Sequence, residues 1–145
     1  MKKTILAVFC VVIFIMSIFT CVAHADGEQV LVIVNNSVSQ ADISAKDLGD
    51  LFLGKKNSWD GGQKAVPVTL ESGAAHEAFL KLYVKKNGSQ FSTFWKQAVF
   101  TGQGIPPKSV SSEEEVVKFV AANPGAVGYI SPATAHEGVK ILAVK

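Results

Sequence analysis

Both cysteines of the chain, Cys10 and Cys21, fall inside one N-terminal apolar segment, so whatever folds beyond it must do so without a disulfide or a cysteine-held metal. That segment opens with Lys2 and Lys3, runs apolar without a break from Ile5 to Met16, continues through Ser17, Ile18 and Phe19, and ends in Ala23-His24-Ala25. A basic start, an apolar middle and an A-x-A end predict a secretory signal peptide over residues 1–25, cleaved after Ala25. Two rival readings are weaker. An uncleaved anchor would have to span with Ile5–Val22, near the lower limit of length. A lipid on Cys21 would need small residues where Ile18-Phe19-Thr20 stand.

Cleavage changes the electrostatics. The whole chain carries a formal charge of +2, but Lys2 and Lys3 leave with the leader while all 12 acidic residues stay, which makes residues 26–145 neutral. Neutrality predicts no basic face for nucleic acid. Stability has to come from a packed core, and a domain of about 120 residues can bury roughly two-thirds of its unfolded surface without staples.

The remaining chain reads as alternating strands and helices. Gln29–Val34 is a β-branched run stopped by Asn35-Asn36-Ser37, predicting a strand buried on both faces and the first of a parallel sheet. Residues 43–54 open on a capping Ser44 and close on Gly54, with Leu48, Leu51 and Phe52 at helical spacing. After a polar loop over 55–62, Ala65–Leu70 predicts a second strand, placed at an edge or bulge by Pro67. A helix is expected from Ala74 to Lys85 and another from Ser89 to Val99, separated by Asn87-Gly88. Thr101–Pro107 is a loop, with two glycines and two prolines. Ser112-Glu113-Glu114-Glu115 predicts a capping box opening a helix to Ala122, ended by Asn123-Pro124-Gly125. Ala126–Ile130 and Val139–Val144 read as the last two strands. The order β-α-β-α-α-α-β-β predicts a single α/β domain with strands inside and helices outside. Phe52, Phe91, Phe94 and Trp95 belong to core faces by their spacing, while Trp59, in a polar loop, either plugs the domain or meets a partner.

Residues able to carry catalysis are scarce. His76 and His136 are the only histidines beyond the leader, each in an His-Glu pair whose members point in different directions, and both read as solvated. No G-x-S-x-G elbow, phosphate-cradling glycine loop or metal motif occurs, which predicts no cofactor and no enzyme. The Glu113–Glu115 run reads as a helix start rather than a metal site. One segment stands apart. Glu71-Ser72-Gly73-Ala74-Ala75 joins a strand to a helix through small residues, so that a ligand could approach backbone N–H groups at the helix start, with the Ser72 hydroxyl as a further donor. From spacing alone, a simple helix cap is the favoured reading of Ser72.

Several blocks in order resemble the phosphate-type substrate-binding proteins of bacterial ABC importers, of the type II periplasmic binding protein fold. They are Ile43-Ser44-x-x-Asp47-Leu48-x-x-Leu51-Phe52-Leu53-Gly54-Lys55 with Trp59-Asp60-Gly61; Val66-Pro67-Val68; Ser72-Gly73 with Phe79; Phe94-Trp95; Phe100-Thr101-Gly102-Gln103-Gly104 with Pro106-Pro107; and Val116-Val117-x-x-Val120-x-x-Asn123-Pro124-Gly125-Ala126-Val127-Gly128-Tyr129-Ile130. The likeness covers residues 29–132 and implies a three-layer domain like one lobe of such a protein, held in the periplasm. Full-length members have two lobes, and this chain resembles the second lobe plus one leading strand. The family's binding turn has a Gly-Ser-Gly-Thr-Arg-like form before a helical Phe. Counted back from Phe79, His76 stands at the Arg position, Ala75 at the Thr position and Gly73 at the Ser position, with Ser72 one place early.

The resemblance implies an exported module binding phosphate or a related oxyanion through Ser72, Gly73, Ala74, Ala75 and His76, with Thr101 and Gly102. It could form a homodimer or dock on a membrane transporter or receptor. The chain contains no arginine to clamp an anion. That leaves a second expectation open, a periplasmic adaptor that kept the lobe and lost the anion.

Overall fold

The computed structural model describes residues 29–145. The leader, its cleavage point and Cys21 lie outside the described residues. The chain runs through β1 (Leu31–Val34), β2 (Asp42–Ile43), α1 (Ala45–Phe52), β3 (Val66–Leu70), α2 (Ala74–Phe79) passing directly into a π-helical turn (Leu80–Val84), α3 (Gly88–Phe100), β4 (Lys108–Val110), α4 (Glu113–Ala122), β5 (Ala126–Ile130), β6 (Lys140–Ile141) and β7 (Ala143–Val144).

Five strands form one mixed sheet in the order β4-β3-β5-β1-β6. The expectation of a parallel first strand is corrected here. β1 lies antiparallel to β5, Leu31 opposite Ile130 and Val34 opposite Val127, and antiparallel to β6 on its other side. Its Val32, Ile33 and Val34 are buried whichever face they point to, because helices cover both sides. A continuous apolar run reports burial on two faces and says nothing of strand direction.

Pro67 is likewise not at an edge. β3 sits between β4 and β5, parallel to both. The strand tolerates the proline because the Val66 N–H is the one turned to β5, donating to Gly125 O at 3.0 Å, so Pro67 faces the β4 side, and pairing with β4 starts only at Val68. The missing N–H falls where no ladder partner needs it.

The two faces of the sheet part at Gly128 and Tyr129, since neighbours on a strand point to opposite sides. On one side, α4 lies so close that a Cβ on Gly128 would stand 2.5 Å from Val116 and 2.8 Å from Val68. On the other, the Tyr129 ring stacks on Phe79 of α2 with centroids 3.9 Å apart, and Phe52 of α1 meets Phe79 edge-on at 4.7 Å. Helix, sheet and helix thus make three layers around a single core.

Caps follow local chemistry. Ser44 Oγ accepts the Asp47 N–H at 3.0 Å, opening α1 as its sequence predicts. At α4 only half of the expected capping box forms: Ser112 Oγ accepts from the Glu115 N–H, but the Glu115 carboxylate turns back to the N–H and hydroxyl of Ser111. A complete box stands instead at α3, where Asn87 and Gln90 bond reciprocally at 2.8 and 3.0 Å. Asn35, buried at the end of β1, donates to the last carbonyls of α4, Val120 O at 2.7 Å and Ala121 O at 3.0 Å. Trp59 plugs the domain: it is buried and its Nε1–H donates to Gly125 O at 3.0 Å.

Candidate functional site

At the C-terminal end of β3 the chain turns outward through Glu71 and Ser72 and enters α2. Gly73 makes this turn with φ 113°, a left-handed conformation that side chains rarely adopt, and a Cβ added there would meet nothing within 4 Å. Its outer side is therefore open. The first helical bond runs from the Glu77 N–H to Gly73 O at 3.1 Å, which leaves the N–H groups of Ala74, Ala75 and His76 without a carbonyl partner among the described residues. Ser72 and Gly73 are exposed. Ser72 does not cap the helix: the N-cap position belongs to Gly73, and no side chain bonds there. The turn thus combines unpaired backbone donors, a free hydroxyl and the positive end of a helix. Two carboxylates, Glu71 and Glu77, flank it and oppose a bound anion.

His76 departs from its expected place at the surface. It is 5% exposed, directed beneath the turn rather than into solvent, because α2 presents Ala75, His76, Ala78 and Phe79 to the core. Its Nδ1 lies 2.7 Å from Tyr129 OH, which lies 2.7 Å from Thr69 Oγ1 and accepts the Leu70 N–H at 3.1 Å. A phenol has one proton to give, so its partners are coupled. With a neutral His76 protonated on Nε2, Tyr129 donates to Nδ1 and Thr69 donates to Tyr129. With His76 charged, Nδ1–H donates to Tyr129, Tyr129 donates to Thr69, and Thr69 turns to Leu70 O at 3.3 Å. Both arrangements give His76 Nδ1, the Tyr129 phenol and the Thr69 hydroxyl a partner. Burial pushes the Tyr129 phenol up to about 12 against the pull of its hydrogen bonds from Thr69 and Leu70, so tyrosinate plays no part.

Burial also holds His76 below its ordinary value of 6.5, outweighing the nearby Glu77. The unfolded chain then takes up a proton that the folded chain resists. Stability is complete above pH 6.5 and falls as the pH drops through that value, levelling once the folded histidine is charged. A measurable drop in melting temperature between pH 7 and pH 5.5 is expected in the wild-type protein, absent in His76→Gln. Glu113, which is half-buried, acts lower down. Its burial is outweighed by bonds from Thr134 and from the N–H and hydroxyl of Ser131, which hold its carboxyl below 4.5, so its contribution is lost only in stronger acid.

Thr101 and Gly102 sit elsewhere in character. They end α3, where Thr101 Oγ1 donates to Gln97 O at 2.9 Å and Gly102 takes φ 68° to close the helix. This is the negative end of a helix dipole, with the threonine hydroxyl already engaged. His76 lines one hollow, of about 350 Å³, between the end of β3 and α3. Thr101 lines a second, of about 1010 Å³, by the start of β3. Ser72 to His76 thus lie on one turn, and Thr101 lines the second hollow, which shares Trp95, Pro106 and Pro107 with the one that His76 lines. The Tyr129 and Thr69 partners of His76 carry no motif. Their only trace in the sequence is a polar Thr in an apolar strand and a Tyr at the centre of AVGYI. Among the described residues no cluster of His, Cys, Asp or Glu could hold a metal ion, and no helix is long and apolar enough to cross a membrane.

The fold defined by these elements is that of one lobe of a periplasmic binding protein. Three solved structures show it. A Clostridium perfringens protein assigned to the phosphate ABC transporter substrate-binding proteins, solved with bound phosphate, superposes with a TM-score of 0.62 at 18% identity over 79% of this chain and 44% of its own. PstS from Borrelia burgdorferi gives 0.61 at 17% identity, over 80% of this chain and 47% of its own. An ABC-type phosphate transport receptor from Vibrio cholerae gives 0.53 at 17%, over 79% and 45%. The chain thus spans less than half the length of each. At such identities the likeness establishes the fold and no more. No protein-family profile and no curated protein sequence matches the chain.

Proposed function

We propose that the chain is an exported solute-binding protein that takes phosphate or a related oxyanion at the Ser72–His76 turn, working with an ABC-type transporter or a sensing receptor in the periplasm, after removal of residues 1–25. The observation that carries this reading is the open turn after β3: unpaired N–H groups of Ala74, Ala75 and His76 together with the unbonded Ser72 hydroxyl, at the start of a helix. The phosphate-binding names of the structures that share the fold support it. Lysine is the only strong cation in the chain, Glu71 and Glu77 flank the turn, and the turn faces water, so the affinity is modest.

Ser72 is exposed, so Ser72→Ala leaves the fold intact. Phosphate at about a hundred times its dissociation constant is expected to stabilise the wild-type protein by about 2.7 kcal/mol. Thermal unfolding with and without phosphate should show this protection in the wild type and its loss in Ser72→Ala. Equal protection of both would place the anion elsewhere.

A second reading, an adaptor that binds another protein and no anion, is favoured by one observation: among the described residues the most exposed large apolar side chains are Phe100, at the end of α3, and Ile105, in the loop that follows it.

A further inference from the structure

The larger hollow lies by the start of β3, away from the Ser72 turn at its end. Its walls come from Leu51 and Leu53 at the end of α1, Val66 and Pro67, and the stretch from Phe94 to Pro107. Its side-chain charges all have one sign. Lys55, Lys56 and Lys64 line it, and no aspartate or glutamate does. Lys56 is held by Asp60 at 2.8 Å and Asp47 at 3.5 Å, whereas Lys55 and Lys64 are exposed and make no ion pair among the described residues. Trp95 forms part of the wall. Its ring is wedged between Gly54 and Gly104, where added Cβ atoms would stand 2.9 and 3.1 Å from it. The indole is 7% exposed, and its Nε1–H has no acceptor among the described residues. A buried donor left unpaired is uncommon in a folded protein. At the lip, Ile105 is 90% exposed.

We propose that this groove docks an extended segment of a partner protein in which acidic and apolar residues are interleaved. The apolar side chains enter the hollow and cover Ile105, while the carboxylates meet Lys55 and Lys64. A second copy of the chain is disfavoured, because a symmetric contact would set the lysines against themselves. A bilayer surface is flat and would leave the hollow empty. Strand addition along β3 is blocked at Pro67, so side chains carry the recognition. Nothing in this surface depends on anion binding at Ser72.

The test follows the Trp95 indole N–H resonance of the purified protein during titration with a synthetic peptide of alternating Asp and Leu, and with its Lys-for-Asp counterpart. The acidic peptide should shift the resonance saturably, with a dissociation constant below about 1 mM that weakens as salt is raised. The basic peptide should leave it in place. Ile105→Asp and Lys64→Glu, both at exposed positions, should each weaken binding at least tenfold while the melting temperature holds. No shift at millimolar acidic peptide, or an equal shift with both peptides, overturns the proposal. So does a doubled mass in solution that Ile105→Asp returns to a monomer, which assigns the patch to a second copy, and so does saturable binding to anionic phospholipid vesicles without peptide binding.

Discussion

Phe79→Ala is expected to lower the free energy of unfolding by about 4 kcal/mol, within the range for deleting a buried phenyl ring. Phe79 is fully buried and holds three elements at once. Its ring lies face to face with Tyr129 at 7° and 3.9 Å, edge-on to Phe52 at 4.7 Å, and beside Tyr83 at 5.3 Å. Aromatic pairs add to the stability that burial alone supplies. The cavity could not close easily, because Phe52 and Tyr129 are fixed on α1 and β5. Phe79 is also the side chain that seats α2, so the turn at Ser72 loses its support in the same variant. Chemical denaturation of the variant and the wild type measures the loss. A change below 1 kcal/mol would mean that the layer packs around something other than this stack.

Gly125→Ala is expected to cost a similar amount, about 4 kcal/mol, by a different mechanism. Gly125 has φ 77°, where a side chain costs about 1–2 kcal/mol, and a Cβ there would press on the backbone carbonyl oxygen of Lys64. Backbone at that point cannot yield, since the Gly125 carbonyl accepts both the Val66 N–H and the Trp59 indole at 3.0 Å. Relieving the clash therefore breaks the start of the β3–β5 pairing and frees Trp59, and forced packing of this kind costs a further 1–3 kcal/mol or so. Denaturation followed by tryptophan fluorescence reads both effects, and an unshifted midpoint would contradict the account.

The places where sequence and structure agree and differ have physical reasons. Helices were legible where a short-range signal exists: Ser44 caps α1, Asn123-Pro124-Gly125 ends α4, and the break at Asn87-Gly88 proved to be the capping box of α3. Long-range pairing left no such mark. β2, which takes Asp42 and the first residue of the expected helical segment, Ile43, pairs in parallel with β7, and β4 forms at residues 108–110, where the sequence predicts no element, because both are edge strands made by their neighbours. Val139–Val144 is two short strands, β6 on the main sheet and β7 on β2, since Leu142 between them bonds to β1. The split of the second expected helix into α2 and a π turn accompanies a close approach, with α1 at Gly49 lying against the Tyr83 carbonyl.

At the site, the open turn was legible from Ser72-Gly73-Ala74 because small residues and a strand-to-helix change are local. The buried histidine was not, because the partners that satisfy His76, Thr69 and Tyr129, lie 7 and 53 residues away. Thr101 and Gly102 entered through family resemblance. Their own chemistry, a hydroxyl bonded to its helix and a glycine closing it, is that of a C-cap.

The most direct test of the central claim is calorimetric titration of the purified protein with phosphate, with sulfate as the control. Oxyanion binding at the Ser72 turn predicts saturable heat with phosphate and a dissociation constant tighter than about 1 mM, or roughly 4 kcal/mol of binding free energy. No heat and no stabilisation at high phosphate would contradict it, and would leave a binding-protein lobe whose contacts are with another protein.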